Sequence, residues 1–373
     1  MEYTTLDKIS ENLDSKRKPI TSSDRVEGEI PYYGASGIVD YVKDYIFDES
    51  LLLVSEDGAN LLARSTPIAF SVTGKTWINN HAHVLRFSNE NLQKFVEIYL
   101  NSISLESYVT GSAQPKLNQK MLNGIPIPVV DDSQIEIIVN SVENLKSIIE
   151  LRKQELACLD ELIKARFVEM FGNPVINEKR WRQKSLGEIT TKIGSGATPK
   201  GGKGAYQEEG ITLIRSMNVH NGLFEYKELA HISDEQATKL DNVVIEENDV
   251  LLNITGASVA RSCVVPSKIL PARVNQHVCI IRCKKCINPE FLNKLLIDDN
   301  YQDLLWSIAG AGATREAITK QQVENLQIIM PPIELQIEFM RFCNQVNKSK
   351  FAVQKTLEQT QTLFDSLMQK YFG

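Results

Sequence analysis

Between residues 134 and 172 apolar side chains recur at alternating spacings of three and four. The series is Ile135, Ile138, Val142, Leu145, Ile149, Leu156, Leu159, Ile163 and Met170, interrupted by Arg152 and Arg166. This is a heptad seam sustained over roughly five heptads, which predicts one long helix packed along its length on another. At about 1.5 Å per residue such a helix is on the order of 57 Å long. Gly172 and Pro174 stop it. The bare apolar stripe requires a partner helix.

The same pattern returns about 201 positions later, in residues 335–373. Phe339, Cys343, Val346, Val353, Leu357, Phe364, Leu367 and Tyr371 continue it, with Gln336, Lys350 and Thr360 as polar members. Both segments end alike, in Met170 to Gly172 and Tyr371 to Gly373, and the approaches IPIPVVDDSQIE and LQIIMPPIELQIE also agree. The chain therefore reads as an internal duplication with four parts: blocks 1–133 and 173–334, and long helices 134–172 and 335–373.

Residues 3–13 show a short helical pattern, followed by a basic turn from Ser15 to Pro19. IPYYGASGIVDYV (30–42) predicts two strands around a Gly-rich turn, and Ser50 to Ser55 a buried strand. Thr66 to Thr73 and Lys75 to Phe87 are read as strands, and Leu92 to Leu105 as a helix. The second block repeats the order. IFDESLLLVSEDGA matches VIEENDVLLNITGA, setting Gly58 at Gly256, while INNHAHVLRF matches VNQHVCIIRC, setting Asn79, His81 and Arg86 at Asn275, His277 and Arg282. Strands and helices mix without regular alternation, so the fold class is α+β: two similar mixed blocks and two long antiparallel coiled-coil helices in a pseudo-two-fold arrangement.

Hydrophobic residues at 42% and charged ones at 24% describe an ordinary globular chain. The six cysteines are scattered, and neither a signal peptide nor a membrane span is evident, so a cytoplasmic location with no membrane partner is expected. A net charge of -6 argues against nucleic acid only for the chain as a whole, since basic residues can still cluster locally. Walker, GxGxxG, HExxH and GxSxG motifs are missing, as is the Asn/Asp-Pro-Pro-aromatic motif of amino-methyltransferases. Cys283 and Cys286 could form half of a zinc site, but the matching positions of the strand in the first block hold packing residues, and no metal is expected. Arg86 and Arg282 suit either an ion pair or a phosphate. The loops are more informative. Lys75, Thr76, Trp77, Asn79 and Asn80 lie close together, and Asn side chains can bond adenine bidentately. Ser195, Thr198, Lys200 and Lys203 lie on a cationic Gly-rich loop, and Arg215, Ser216 and Asn218 follow on another. Polar loops at equivalent places in two blocks favour a bipartite reader of nucleic acid.

In this duplicated order the chain resembles the specificity subunits of type I restriction–modification systems. The resemblance is carried by GSAQPKLNQKMLNGIPIPVV (111–130) with GATREAITKQQVENLQIIMPP (312–332), by LGEITTKIGSGATPKGG (186–202), and by FGNP after the first long helix. It implies that each block is a target-recognition domain reading one half of a split double-stranded DNA sequence, with the helix pair setting the gap. It implies docking of two methylation subunits carrying S-adenosylmethionine and of restriction subunits using ATP and Mg²⁺, with no cofactor or catalytic residue on this chain. The matched segments add Lys16, Arg17, Lys18, His81, Ser112, Gln114 and Lys116 to the expected DNA contacts of the first block. They add Asn275, Gln276, His277, Thr314 and Arg315 in the second. The first block departs from the family's Gly-rich form at KISENLDSKRKPI. The competing readings are an enzyme with its own methyltransferase or nuclease activity and a scaffold without sequence preference.

Overall fold

A run such as Leu51–Ser55 has no polar face, so its strand must be covered on both sides. In the computed structural model, which describes residues 2–111, 114–310 and 316–373, it is. Only the backbone of Lys203 is described, and Ser112, Thr314 and Arg315 lie outside the described residues. Successive side chains of a strand point to opposite faces, and here Leu52 and Val54 enter one core while Leu51 and Leu53 enter another. The second block splits its equivalent strand Val250–Asn253 the same way, with Val250 and Leu252 in one core and Leu251 in the other.

Contacts divide the chain into two compact units, one of Met1–Gln154 with Gln354–Gly373 and one of Glu155–Val353. Both divisions fall inside the long helices, which run unbroken from Asp132 to Phe171 and from Ile333 to Phe372. Each unit holds one block and a part of each helix.

In the first unit a four-stranded antiparallel sheet has the order Ser10–Asn12, Ala82–Phe87, Leu51–Ser55, Ala69–Val72. A second sheet orders Gly37–Val42, Glu27–Gly34, Lys75–Ile78 and Phe47–Asp48, its middle pair parallel. Helix Glu90–Ser102 starts at Asn89, whose side chain caps Leu92 N, and buries Phe95, Val96 and Ile98. Ile135, Ile138, Val139 and Val142 of the first long helix complete that core, with Phe364, Leu367 and Tyr371 of the second packed on it. Phe372 lies 5.6 Å from the Phe95 ring and 5.7 Å from that of Tyr99.

The second unit repeats the plan: Thr190–Ser195, Val278–Cys283, Val250–Asn253, Ser262–Val264 in one antiparallel sheet, and a parallel pair, Ile211–Ile214 with Ala272–Val274, in another. The two long helices run antiparallel here, since Asp160 pairs with Lys350 and Arg166 with Glu338. Phe167 and Phe171 of the first helix and Phe339 of the second meet Phe291 of helix Pro289–Leu296 in one aromatic cluster.

No apolar position of the predicted seam is left exposed. Ile135, Ile138, Val142, Ile149, Ile163, Phe339, Val346 and Val353 are buried, and Leu145, Leu156, Leu159, Leu357, Phe364 and Leu367 half-buried. Three expectations are corrected. The N-terminal helical pattern is strand Tyr3–Thr5, one helical turn Leu6–Ile9 and strand Ser10–Asn12, because one edge-strand pairing closes on each side of a single turn. The strand expected over 75–87 is two, Lys75–Ile78 and Ala82–Phe87, separated by a turn at Asn79. The helix expected over Leu92 to Leu105 runs Glu90–Ser102.

Candidate nucleic-acid interface

That turn is built by one side chain. The Asn79 amide oxygen accepts from His81 N at 2.8 Å, and Asn79 N donates to Tyr33 O at 3.0 Å. In the second unit Asn275 Oδ1 accepts from His277 N at 3.0 Å, and Asn275 N donates to Ile214 O at 3.0 Å. Asx turns of this kind end a strand without leaving its next N–H unsatisfied.

Two further loops are tied to the turn, identically in both units. Glu56 N donates to His81 O at 2.9 Å and Ile254 N to His277 O at 3.0 Å. Gly58 N reaches Pro115 O at 3.1 Å and Gly256 N reaches Glu316 O at 2.9 Å. Leu117 N bonds Glu56 O and Ile318 N bonds Ile254 O, both at 2.8 Å. Gly58 and Gly256 sit at φ +111° and +73°, a region that suits glycine. The outcome is a platform of three loops: a Gly turn, an Asn-x-His turn and a returning segment.

The histidines face the same neighbour position. His81 Nδ1 lies 2.8 Å from Asp57, and His277 Nδ1 lies 2.5 Å from Thr255 Oγ1. In the first unit Lys16, Lys18, Lys75, Asn80, His81, Gln114 and Lys116 are exposed, with Asn80, His81, Gln114 and Lys116 on or beside the platform's own loops. Lys75 Nζ sits 4.7 Å from the Tyr45 ring centre, and Trp77, half-buried, donates its indole N–H to Lys18 O at 2.6 Å. Around the second, Thr198 and Lys200 are exposed and Ser195, Gln276 and His277 half-buried. Thr198 Oγ1 donates to Gln276 Oε1 at 2.6 Å. A cleft of about 1110 Å³ opens there, lined in part by Ser216, Thr255, Arg261, His277 and Glu316.

Other expected contacts are held inside the fold. The side chains of Thr76, Asn79, Asn218 and Asn275 are buried. Asn218 accepts from Arg215 N and donates to the carbonyls of Glu225 and Lys227, shaping its own loop. Arg215 stacks 5.4 Å from the Tyr206 ring and bonds Glu228 O. Arg17 donates to Glu56 at 2.6 Å and to Ala82 O at 2.8 Å, so its guanidinium is committed internally. Arg86 and Arg282 form bidentate pairs with Glu49 and Asp249.

Arg17 belongs to a network peculiar to the first unit. His83, buried, stands between Asp14 Oδ2 at 2.6 Å and Leu117 O at 2.7 Å, so both its ring nitrogens face acceptors. Lys116 Nζ is 3.2 Å from Glu56. Burial pushes the Asp14 and Glu56 carboxyls up, but bonds from His83 to the former and Arg17 to the latter outweigh it and hold both below the usual carboxylate range. Asp14, Glu56 and His83 have a spacing a metal could use, yet Arg17 and Lys116 already neutralise this carboxylate pair. In the second unit the positions of His83 and Glu56 hold Cys279 and Ile254, and burial pushes the Cys279 thiol up to about 12. Sequence reading missed Arg261 and Glu316, which nothing but the fold brings to the cleft. It predicted the strand at Ile38 but missed its exposure, because the alternation is too short to distinguish from a core strand.

Fold and loops together define a duplicated chain with two like platforms, each mounted on a block and joined to both long helices. The family model for the type I restriction modification DNA specificity domain matches residues 1–161 and again residues 178–360. The chain belongs to that family, and DNA target recognition as a specificity subunit is its function. A type I restriction enzyme specificity subunit of Haemophilus influenzae is 37% identical over 139 residues, a match spanning 37% of this chain and 36% of that one. The MjaVIII specificity subunit of Methanocaldococcus jannaschii is 21% identical over 355 residues, covering 87% of this chain and 80% of its own. The crystal structure of a type I S subunit from M. genitalium shares the fold, with TM-score 0.60 and 14% identity over all of this chain and 96% of that one. A chain from a structural study of type I complex assembly and conformational transition aligns with TM-score 0.58 and 16% identity, over all of this chain and 97% of its own. Among the described residues no helix is long and apolar enough to cross a membrane.

Proposed function

We propose that each platform reads one half of a bipartite double-stranded DNA target, and that the two long helices set the gap between the halves. The observation that carries this is the platform itself, built twice with the same backbone bonds at matched residues. One chain with two such surfaces suits one continuous duplex with two half-sites, because two linked readers respond to both spacing and helical phase. Lys16, Lys18 and Lys75 in the first unit and Lys200 in the second supply positive charge for phosphates. Asn80, Gln114 and Gln276 offer the amide chemistry that bonds base edges.

The chain acts without catalytic residues of its own. It works with two methylation subunits, which bind S-adenosylmethionine, and with restriction subunits, which bind ATP and Mg²⁺. The family assignment and the absence of catalytic motifs from the sequence support that division of labour. The test is to map methylated sites across the genome of cells expressing the whole system. One motif of two short halves with a constant gap is expected, disappearing when this chain is deleted. A continuous motif, or methylation that persists without the chain, would overturn the reading.

A further inference from the structure

We propose that the hairpin of Glu27–Gly34 and Gly37–Val42 reads bases in the first unit's half-site, through apolar contacts from Ile38, Val39 and Tyr41. The inference rests on the half-site reading above and names the element and the residues that carry it.

One face of the hairpin is already covered. Tyr32 is 1% exposed and accepts from Ile20 N at 3.0 Å, while Arg25 lies 4.5 Å from its ring and pairs with Asp40 at 3.0 Å. The outer strand is different. Ile38, Val39 and Tyr41 are 50%, 58% and 50% exposed, on the edge strand of the sheet. An apolar cluster of this kind on a folded surface marks an interaction site.

The occupant follows from what adjoins it. The inner strand Glu27–Gly34 runs parallel to Lys75–Ile78, which leads straight into the Asn79–His81 turn. Gly34 is wedged at the junction: a Cβ there would stand 2.7 Å from Val39 and 3.3 Å from the Asn79 amide nitrogen. The hairpin tip is thus continuous with the platform. Residues 34–39 carry no charge, Asp40 is paired with Arg25 at 3.0 Å, and the acidic Glu27 and Glu29 lie at the far end, so no unpaired acidic group at the tip repels phosphates. A two-stranded ribbon fits the major groove, where aliphatic side chains can meet the thymine methyl group.

Among the described residues the second unit has no such hairpin at the equivalent place. Its strand Ile211–Ile214, likewise beside a parallel strand, pairs instead with Ala230–Ile232, whose Ala230 and Ile232 are buried. This difference between the units suits two half-sites of different sequence.

The experiment is selection from random duplex DNA by the assembled complex, with the native chain or with the triple variant Ile38→Ser, Val39→Ser, Tyr41→Ser. The variant should lose about tenfold in enrichment of one half-site, while the other half-site and the gap stay as they were. Val39→Thr, nearly equal in volume, should shift preference at a single base position of that half-site. Unchanged motifs overturn the proposal. So does an equal loss at both half-sites, which would make the hairpin a support of the fold, or loss of a subunit with the motif retained, which would make it a protein-docking edge. If the native complex itself selects no split motif, the half-site reading fails and this inference with it.

Discussion

Phe339 is the point at which the second long helix is anchored to the second block, and truncating it should be costly. The side chain is fully buried, and its ring lies 5.5 Å from that of Phe167 and 5.4 Å from that of Phe171, in both cases edge to face. Met340, Cys343 and Val346 extend the same core, so the site has little freedom to collapse around a cavity. Phe339→Ala should therefore destabilise this unit by about 3–5 kcal/mol. Phe339→Leu keeps aliphatic volume but loses the two ring pairs, and should cost about 1–2 kcal/mol. For a unit of roughly 200 residues at about 2–4 °C per kcal/mol, the Ala variant melts on the order of 10 °C lower. Trp181, packed on the same core with its indole donating to Phe171 O at 3.0 Å, is the natural probe. Urea unfolding followed by tryptophan fluorescence measures the loss, and the slope should be unchanged. A loss below about 1 kcal/mol for Phe339→Ala would refute the anchoring argument.

The other expected outcomes concern the polar framework. Arg282→Met should cost about 3–5 kcal/mol, because it strands the fully buried Asp249 carboxylate. Arg86→Met, whose partner Glu49 is partly exposed, should cost below about 1 kcal/mol; equal losses on denaturation would contradict this. Asn79→Ala and Asn275→Ala each remove the acceptor that builds a turn, and each should lower the stability of its own unit by about 1 kcal/mol and weaken only that unit's half-site. Asp14, Glu49 and Glu56 have folded pKa values below their ordinary ones, so their stabilisation is complete above the usual carboxylate range and is lost as pH falls through the folded values. Denaturation midpoints of the first unit should therefore fall below about pH 4, and less steeply in His83→Phe; a flat profile down to pH 2 would contradict the network.

The long helices and the duplication were legible because they depend on periodicity and order, which a sequence displays directly. Heptad spacing put Ile138 and Val346 inside without any knowledge of the blocks. The Asn79 and Asn275 turns were half legible: the matched Asn-x-His pattern was visible, but reading the asparagines as base contacts missed their role inside the turn. Asn serves both purposes equally well. The commitments of Arg17, Arg86 and Arg282 could not be read, since their carboxylate partners lie 33 to 39 residues away and only the sheet register joins them. The exposed face at Ile38 was hidden for a related reason. A short apolar run states that a strand exists, whereas its place at a sheet edge is decided by pairing elsewhere.

The central claim is that the helix pair determines the gap in a split DNA target, and its length is open to direct manipulation. Removing residues 151–157 and 353–359 together takes one heptad from each antiparallel helix and preserves the seam on both. At about 1.5 Å per residue the pair shortens by roughly 10 Å, close to 3 base pairs at about 3.4 Å each. Methylated sites mapped in cells carrying the shortened chain should show the same two half-sites with the gap reduced by about 3 base pairs. Methylation at the original gap would contradict the claim.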